Sequence, residues 1–327
     1  MKLGLHFSCA SAKGGDWPEL YESAIRQAEI GDELGIDCAV VAEHHFTADG
    51  WIPTPMLLAS AIAARTTRIK VGPNIIILPF YNPVSVAEQI LVLDNLSGGR
   101  AVAGLGAGAR ESEFGVFGAP YRKRFRRTEE ALDAVRRVMA TVPASYEGEH
   151  YQFDEVTVYP RPVGPRPPVW YGAISIPGAK RAARFADALV IGPALDAGKA
   201  AEVADTYREE CDALGQEAGE VILRREGYVG PTDTAAWETA LSPLEFLYSK
   251  VYTHFAGEDS AGMREYAESR FMVGGSEEII QQSEQYRSVV GADSIVIRMQ
   301  LPGLENQLAE EATARLGQDV LPRVAHL

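Results

Sequence analysis

The chain has 327 residues, of which 46% are hydrophobic, and carries a formal net charge of −14 at pH 7. A chain of this length can bury a large core without disulfide or metal staples. An acidic chain repels nucleic-acid phosphates, and its basic run at 121–127 leads directly into acidic residues, as on a solvated helix face, so we expect no nucleic-acid partner.

Short β-rich runs alternate with longer amphipathic runs along the chain, a pattern typical of parallel strands connected by helices. We predict eight strands, at residues 3–8, 38–45, 70–78, 101–106, 169–173, 188–192, 221–229 and 294–299. Eight β/α alternations in this length match a (β/α)₈ TIM barrel better than an open doubly wound sheet. Since no linker divides the sequence, we expect one barrel domain over residues 1–327.

The segment 231–275, which follows the seventh predicted strand, is far longer than an ordinary βα loop. We expect an insertion that forms a lid or an extra pair of packed helices. It begins on the barrel face where active sites lie. Its aromatic and imidazole side chains, which suggest an apolar or aromatic organic substrate, are Trp237, Phe246, Tyr248, Tyr252, His254 and Phe255.

The second predicted strand ends in the ionisable residues Glu43, His44 and His45. In a barrel these side chains stand at the mouth of the active site. Because side chains alternate along a strand, His44 and His45 should point in opposite directions, so that only one meets a substrate. A lone histidine is more often structural, but a carboxylate with two imidazoles is costly unless the group is used or well paired.

A metal-hydrolase site is an alternative explanation for histidines at a strand end. Such a site needs two ligands on one face, and adjacent histidines do not provide them. His6 could join the pair, but His150, His254 and His326 have no ligand-like spacing. We therefore predict no metal site.

The cysteines and the N-terminus indicate the compartment. Cys9, Cys38 and Cys211 are odd in number and far apart, which fits neither a disulfide framework nor a zinc motif. The first residues lack the apolar core of a signal peptide, and the most apolar stretch, at 71–80, is far shorter than the roughly 20 residues of a membrane helix. We expect a cytoplasmic protein with no membrane partner.

Two further segments have the chemistry of a ligand site. A Gly-Pro-Asn interruption at 72–74 in the third strand indicates a bulge or an unusual peptide near a ligand, although a simple kink would look the same. After the fifth strand, Ser175 precedes Pro177 and Gly178 at a helix start. Free amides, a hydroxyl and the helix dipole could hold a phosphate there, and an ordinary serine N-cap has the same sequence.

Several segments, in order, resemble the bacterial luciferase-like flavin-dependent monooxygenases, and the likeness covers nearly the whole chain. They are EHHF at 43–46, AEQ at 87–89, LDNLSGGR at 93–100, GLGAGARESEFGVFG at 104–118, the turn around Ser175 and VGGSEEI at 273–279. The resemblance implies a TIM barrel that binds reduced FMN from a separate flavin reductase and uses O₂ to oxidise a small organic substrate.

The resemblance also implies catalytic roles. His44 would be the active-site histidine, which donates a hydrogen bond or moves a proton at the oxygenated flavin or the substrate. Glu43 and His45 would orient or support it. Asn74 and Ile75 would form a cis peptide beneath the flavin ring.

At the phosphate end, the resemblance implies that Ser175 and backbone amides near Gly178 hold the FMN phosphate, with Ala173 and Ile174 beside them. Ala107 stands where some relatives carry an arginine that helps to hold the phosphate or the flavin. Because of this difference, we do not expect the chain to match luciferase itself in detail, although Arg110 lies nearby in the sequence.

Two other functions remain open from the sequence. The same family contains deazaflavin-dependent enzymes that transfer hydride, although the EHHF segment favours FMN. A flavin-binding subunit without turnover would have the same fold. The resemblance also implies a homodimer through the early helices, and the apolar runs at 56–64 and 89–93 fit either that interface or packing on the barrel.

Overall fold

The chain folds into a closed barrel of parallel strands surrounded by helices, as seen in a computed structural model that describes residues 1–12, 14–47, 49–248 and 262–327. The strands are β1 (Lys2–Phe7), β2 (Cys38–Val41), β3 (Lys70–Pro73), β4 (Ile76–Ile77), β5 (Ala103–Gly106), β6 (Ala144–Glu147), β7 (Gln152–Val156), β8 (Val169–Ala173), β9 (Ala188–Ile191), β10 (Glu220–Val229), β11 (Met272–Gly274) and β12 (Ser294–Arg298). The predicted TIM barrel is confirmed.

The α-helices alternate with these strands along the chain. They are α1 (Trp17–Leu34), α2 (Pro55–Arg65), α3 (Pro83–Ser97), α4 (Glu111–Phe117), α5 (Arg124–Ala140), α6 (Ile176–Phe185), α7 (Ala197–Ala213), α8 (Asp233–Phe246), α9 (Met263–Glu268), α10 (Ser276–Val290), α11 (Asn306–Arg315) and α12 (Leu321–Val324). Among the described residues, no helix combines the length and the apolar character needed to span a bilayer.

The barrel wall follows the order β3, β2, β1, β12, β10, β9, β8, β5 and β4, with every neighbouring pair parallel. The ring closes because β3 and β4 are two halves of one chain segment, and a bridge between Val71 and Ala101 joins β3 to the start of the β5 segment. Strands such as β2 and β9 are buried along their whole length, as expected where helices cover the outside of a barrel.

The third barrel strand is divided by a cis peptide bond between Asn74 and Ile75. The resemblance implied a cis bond at this position. Glycines on the neighbouring strand make room for it, because a Cβ on Gly104 would overlap the carbonyl oxygen of Pro73 and a Cβ on Gly106 would overlap the Ile75 side chain. The two glycines of β5 therefore have a packing role.

The second strand ends at Val41 rather than at residue 45, so the sequence-based boundary was wrong. Beyond Val41 the backbone turns to loop partners: His44 N donates to Ile52 O at 3.3 Å, and Phe46 has a φ of 57°. The directions of the two histidine side chains are therefore set by loop contacts and not by strand alternation.

The segment 231–275 contains helices of its own, which was one of the two alternatives expected from the sequence. α8 and α9 lie within it, and β11, also within it, pairs with β10 in parallel. Trp237 and Tyr248 are buried in it. Residues 249–261, with Tyr252, His254 and Phe255, lie outside the described residues.

Candidate active site

A cavity of about 400 Å³ opens at the carboxyl ends of the barrel strands. That volume is in the range of small-molecule and cofactor sites. Its lining contains nearly all the site residues predicted from the sequence, namely Glu43, His44, Asn74, Ile75, Ala107, Ala173, Ile174, Ser175 and Gly178. The exception is His45, which is buried outside the lining.

His44 is held in the cavity wall by a carboxylate that the sequence analysis did not single out. Its Nδ1 lies 3.0 Å from Oε1 of Glu113, a residue in the first turn of α4 with a 1% exposed side chain. The edge of the imidazole meets the Trp51 ring, with 4.7 Å between centroids. Since a carboxylate only accepts, Nδ1 carries the proton, and a neutral His44 ring has its lone pair on Nε2.

Burial and hydrogen bonding act in opposite directions on this pair. Burial lowers the pKa of His44, and the hydrogen bond to Glu113 only partly opposes it. Burial raises the pKa of Glu113, but hydrogen bonds from His44 and from the His45 amide outweigh burial, so this pKa lies below its usual value. At neutral pH the pair is therefore a neutral imidazole beside a carboxylate.

Glu43 joins the end of β2 to the third barrel strand. Its Oε2 accepts from Ile77 N at 2.7 Å, and its Oε1 accepts from Tyr81 Oη at 2.6 Å and from His45 Nε2 at 2.7 Å. Burial raises the pKa of Tyr81, and the Glu43 carboxylate adds to this effect. Glu43 thus fixes the residues that follow the cis peptide.

His45 packs against an aromatic cluster behind the cavity. Its ring centroid is 4.6 Å from that of Phe117 and 5.8 Å from that of Phe80. Its backbone amide donates to Glu113 Oε1 at 2.9 Å. Both contacts place His45 as a support for residue 44, out of reach of a ligand in the cavity.

His6 lies on β1 beneath the Asn74–Ile75 peptide. His6 Nε2 donates to Asn74 O at 3.1 Å, since a carbonyl can only accept. Burial lowers the pKa of His6 well below its usual value, and Arg224 and Arg298 lower it further. Within the described parts of the chain, His6 Nδ1 and Asn74 Nδ2 are buried without a hydrogen-bond partner, so the cavity offers one unused acceptor and one unused donor.

A buried ion group borders the same cavity on the β10 side. Arg224 Nη1 lies 2.5 Å from Glu226 Oε1, and Arg298 Nε lies 2.6 Å from Glu226 Oε2. Burial raises the pKa of Glu226, but the two guanidinium groups outweigh it and keep the carboxyl ionised. No local motif predicts this group, because its members come from two strands that are distant in sequence.

Two strands further around the barrel from β10, β8 leads into the N-terminus of α6. Ser175 is the N-cap, and its Oγ accepts from Gly178 N at 3.3 Å. A Cβ on Gly178 would come within 2.7 Å of the Ala173 Cβ, so this close turn requires glycine. The helix start presents amides and a hydroxyl to the cavity, which is a common arrangement for binding a phosphate.

Two arginines beside this turn were not predicted as site residues. Arg124, at the start of α5, lines the cavity with its guanidinium 3.8 Å from the Tyr121 ring centroid, and its buried Nε has no hydrogen-bond partner among the described residues. Arg181 also lines the cavity while paired with Glu129 at 2.8 Å. The interpretation of 121–127 as only a solvated helix face was therefore wrong, because Arg124, at the start of the helix, lines the cavity.

A profile of the family described as luciferase-like monooxygenase matches residues 1–312. An uncharacterized protein of Sinorhizobium fredii, y4wF, is 34% identical over 200 residues, which cover 61% of this chain and 57% of that protein. An F420-dependent glucose-6-phosphate dehydrogenase of Kineococcus radiotolerans is 30% identical over 230 residues, which cover 68% of this chain and 65% of that enzyme. The chain thus spans less than two thirds of the length of either relative.

Solved structures share the fold over almost their full length. The monooxygenase RslO1 from Streptomyces bottropensis superposes with a TM-score of 0.87 at 24% identity, over 98% of this chain and 99% of that chain. The oxygenating constituent of 3,6-diketocamphane monooxygenase from Pseudomonas putida, a type II Baeyer-Villiger monooxygenase in complex with FMN, gives 0.85 at 19% identity over 99% of both chains. At these identities the likeness shows the fold alone.

The lowered pKa of His6 predicts how stability depends on pH. Below about pH 6.5 histidine is protonated in the unfolded chain but stays neutral here, so the unfolded state binds more protons. The free energy of unfolding should then fall as the pH drops from 6.5 to 5, by up to about 1.4 kcal/mol per pH unit for this residue. The carboxylates with lowered pKa values, Glu113 and Glu226, lose their contribution only at lower pH.

Urea unfolding at several pH values checks this prediction. His6→Gln should show a shallower loss of stability than the wild type between pH 6.5 and 5. The exposed His326→Gln should follow the wild-type slope. Equal slopes for His6→Gln and the wild type would contradict the assignment.

Proposed function

Because the chain belongs to the luciferase-like monooxygenase family, we propose that it is a monooxygenase that uses reduced FMN and O₂ to oxidise a small organic substrate. The observation that carries the proposal is the pairing, in one cavity, of a neutral imidazole in the loop after β2 with a phosphate-type helix N-terminus after β8. The two groups follow the second and fifth of the eight barrel strands, so they lie three strands apart around the mouth.

The cavity fits a flavin nucleotide at both ends. Toward β8, Ser175, the Gly178 amide and Arg124 would hold the phosphate, and the unpartnered Arg124 Nε supports an anion there. Ala173 and Ile174 would border the chain between phosphate and ring.

Toward β2 and β4, Ile75 would face the flavin ring, and Ala107 would lie beside it. Small residues in the cavity lining leave space for the ring there. Asn74 Nδ2 and His6 Nδ1 are the unused donor and acceptor that a polar ring edge would satisfy. Reduced FMN, when bound, supplies the electrons that activate O₂.

His44 is the residue that would move a proton. Its neutral form prevails at pH 7 because burial lowers its pKa, and Glu113 fixes the proton on Nδ1. Nε2 is then free to accept a proton from the substrate and return it. Glu113, and His45 and Glu43 behind it, act as positioning residues.

Apolar side chains shape the rest of the cavity. Trp51, Tyr121, Phe125 and Tyr171 contribute to its lining. Such a lining excludes water and favours an apolar or aromatic substrate. The three cysteines are free and buried, which supports a cytoplasmic setting where a separate flavin reductase would supply the reduced cofactor.

A hydride-transfer function with the deazaflavin F420 is the second candidate. It is favoured by the F420-dependent relative that aligns with 68% of this chain. The same neutral His44 could take a proton from an alcohol as hydride leaves its carbon. FMN is preferred here because of the EHHF segment at 43–46.

We also propose that the protein is a homodimer through α2 and α3. These helices contact each other and expose Leu57 at 72%, Val92 at 44% and Leu96 at 60%. In light scattering, the wild type should have the mass of a dimer and Leu57→Glu combined with Leu96→Glu that of a monomer. Leu214→Glu, at an exposed position after α7, should remain dimeric. A monomeric wild type would contradict this proposal.

Replacing Arg124 tests the phosphate site. Arg124→Met should weaken binding of reduced FMN roughly 10- to 100-fold, because a charge-assisted hydrogen bond is lost. Riboflavin lacks the phosphate, so its affinity should hardly change. Arg122→Met, at an exposed neighbouring position outside the lining, is the matched control. Anaerobic fluorescence titration measures both flavins, and equal losses for both would place the phosphate elsewhere.

Replacing His44 tests the proton-transfer role and the monooxygenase itself. His44→Gln should reduce product formation about 10²- to 10⁴-fold while reduced FMN still binds, and O₂ consumed should then appear as hydrogen peroxide. Oxygen uptake, peroxide and product are measured after mixing with reduced FMN and apolar or aromatic candidate substrates. His326→Gln is the control. A wild-type protein that binds reduced FMN yet oxidises nothing would instead favour a flavin-binding subunit.

A further inference from the structure

A second cluster of ligand-type side chains lies outside the barrel cavity, where the β6–β7 hairpin meets α5. The two strands are antiparallel, and their turn carries Glu149 and His150 next to Glu130 of the helix. One ligand atom from each of these three residues lies within 4.8 Å of the other two. The fold therefore gathers two carboxylates and one imidazole from positions twenty residues apart in sequence.

His150 is the member of the cluster that points to a ligand. Its side chain is only 8% exposed, and its Nε2 is buried without a hydrogen-bond partner among the described residues. The Glu149 Oε1 atom is 3.8 Å away, too far for a hydrogen bond. An imidazole nitrogen left unsatisfied in this way is costly unless something binds it.

The turn is built so that the Glu130 carboxylate can lie beneath it. His150 N donates to Glu130 Oε2 at 2.8 Å, which holds the carboxylate against the turn. Gly148 leaves the necessary space, because a Cβ there would come within 2.5 Å of the same oxygen. Glu130 is thus fixed before any ligand arrives.

We propose that Glu130, Glu149 and His150 bind a divalent transition-metal ion, with Zn²⁺ as the best fit, and that the ion ties the hairpin to α5. One imidazole with two carboxylates suits Zn²⁺ better than Mg²⁺ or Ca²⁺, which prefer oxygen ligands alone. Tetrahedral Zn²⁺ sets its donors roughly 3.3 Å apart. The 60% exposed Glu149 side chain can make the small movement needed, and water would complete the coordination.

One cation competes for this position. Lys123 Nζ lies 3.3 Å from Glu149 Oε1, with both side chains 60% exposed. Such exposed pairs contribute little free energy, so a metal ion can replace the lysine. The prediction of no metal site from the sequence rested on spacing along the chain, and it did not anticipate a helix residue beneath the turn.

Zinc binding to the full, chelator-treated chain tests the proposal by titration calorimetry with ZnCl₂. The wild type should bind about one ion at this site and unfold at a higher temperature when zinc is present. His150→Ala and Glu130→Gln should each weaken this binding at least about tenfold and lose the thermal shift. Glu147→Gln, exposed on the same hairpin, and His326→Ala should behave as the wild type.

Cobalt substitution provides a readout that does not depend on stability. Co²⁺ at the site should give visible absorption bands that change when His150 is removed, while circular dichroism in the absence of metal shows that each variant is folded. Absence of zinc binding, or binding and cobalt spectra unchanged in both His150→Ala and Glu130→Gln, would overturn the proposal.

Discussion

Two buried carboxylates hold the mouth of the candidate active site in place. Glu113 accepts from His44 Nδ1 and from the His45 amide, and Glu43 accepts from His45 Nε2, Tyr81 and the Ile77 amide. Between them they fix the loop after β2 against both α4 and the third barrel strand. Burying a carboxylate is costly unless hydrogen bonds to it compensate, so these contacts and the loop conformation depend on each other.

The cavity has two electrostatic halves. On the β2 side, burial keeps His6 and His44 neutral, and a proton acceptor is available. On the β8 side, a helix N-terminus and Arg124 attract an anion. A ligand with a phosphate at one end and an oxidisable or reducing ring at the other matches both halves, whereas a purely apolar ligand would leave the buried Arg124 Nε without a partner.

The sequence was sufficient for the fold and for much of the cavity lining, because both follow from periodicity and from the barrel rule that places functional groups at strand ends. His44, Ser175 and the Asn74–Ile75 bond lie where the motifs indicated. The chain's own pattern could not show which carboxylate would orient His44. Glu113 reaches it from another βα unit, and only tertiary packing brings the two together.

Errors in the sequence interpretation have the same physical origin. Arg124 belongs to a basic run whose pattern predicts a solvent-facing helix surface. At the start of α5, however, its side chain lines the cavity. The strand boundary at residue 45 followed apolar continuity, whereas backbone hydrogen bonds to Ile52 and Glu113 end the strand at Val41. Such long-range partners leave no trace in local periodicity.

Anaerobic titration of the protein with reduced FMN, and in parallel with reduced F420, tests the central claim most directly. We expect saturable binding of about one reduced FMN per chain and distinctly weaker binding of reduced F420. Tight binding of reduced F420 with no measurable affinity for reduced FMN would contradict it.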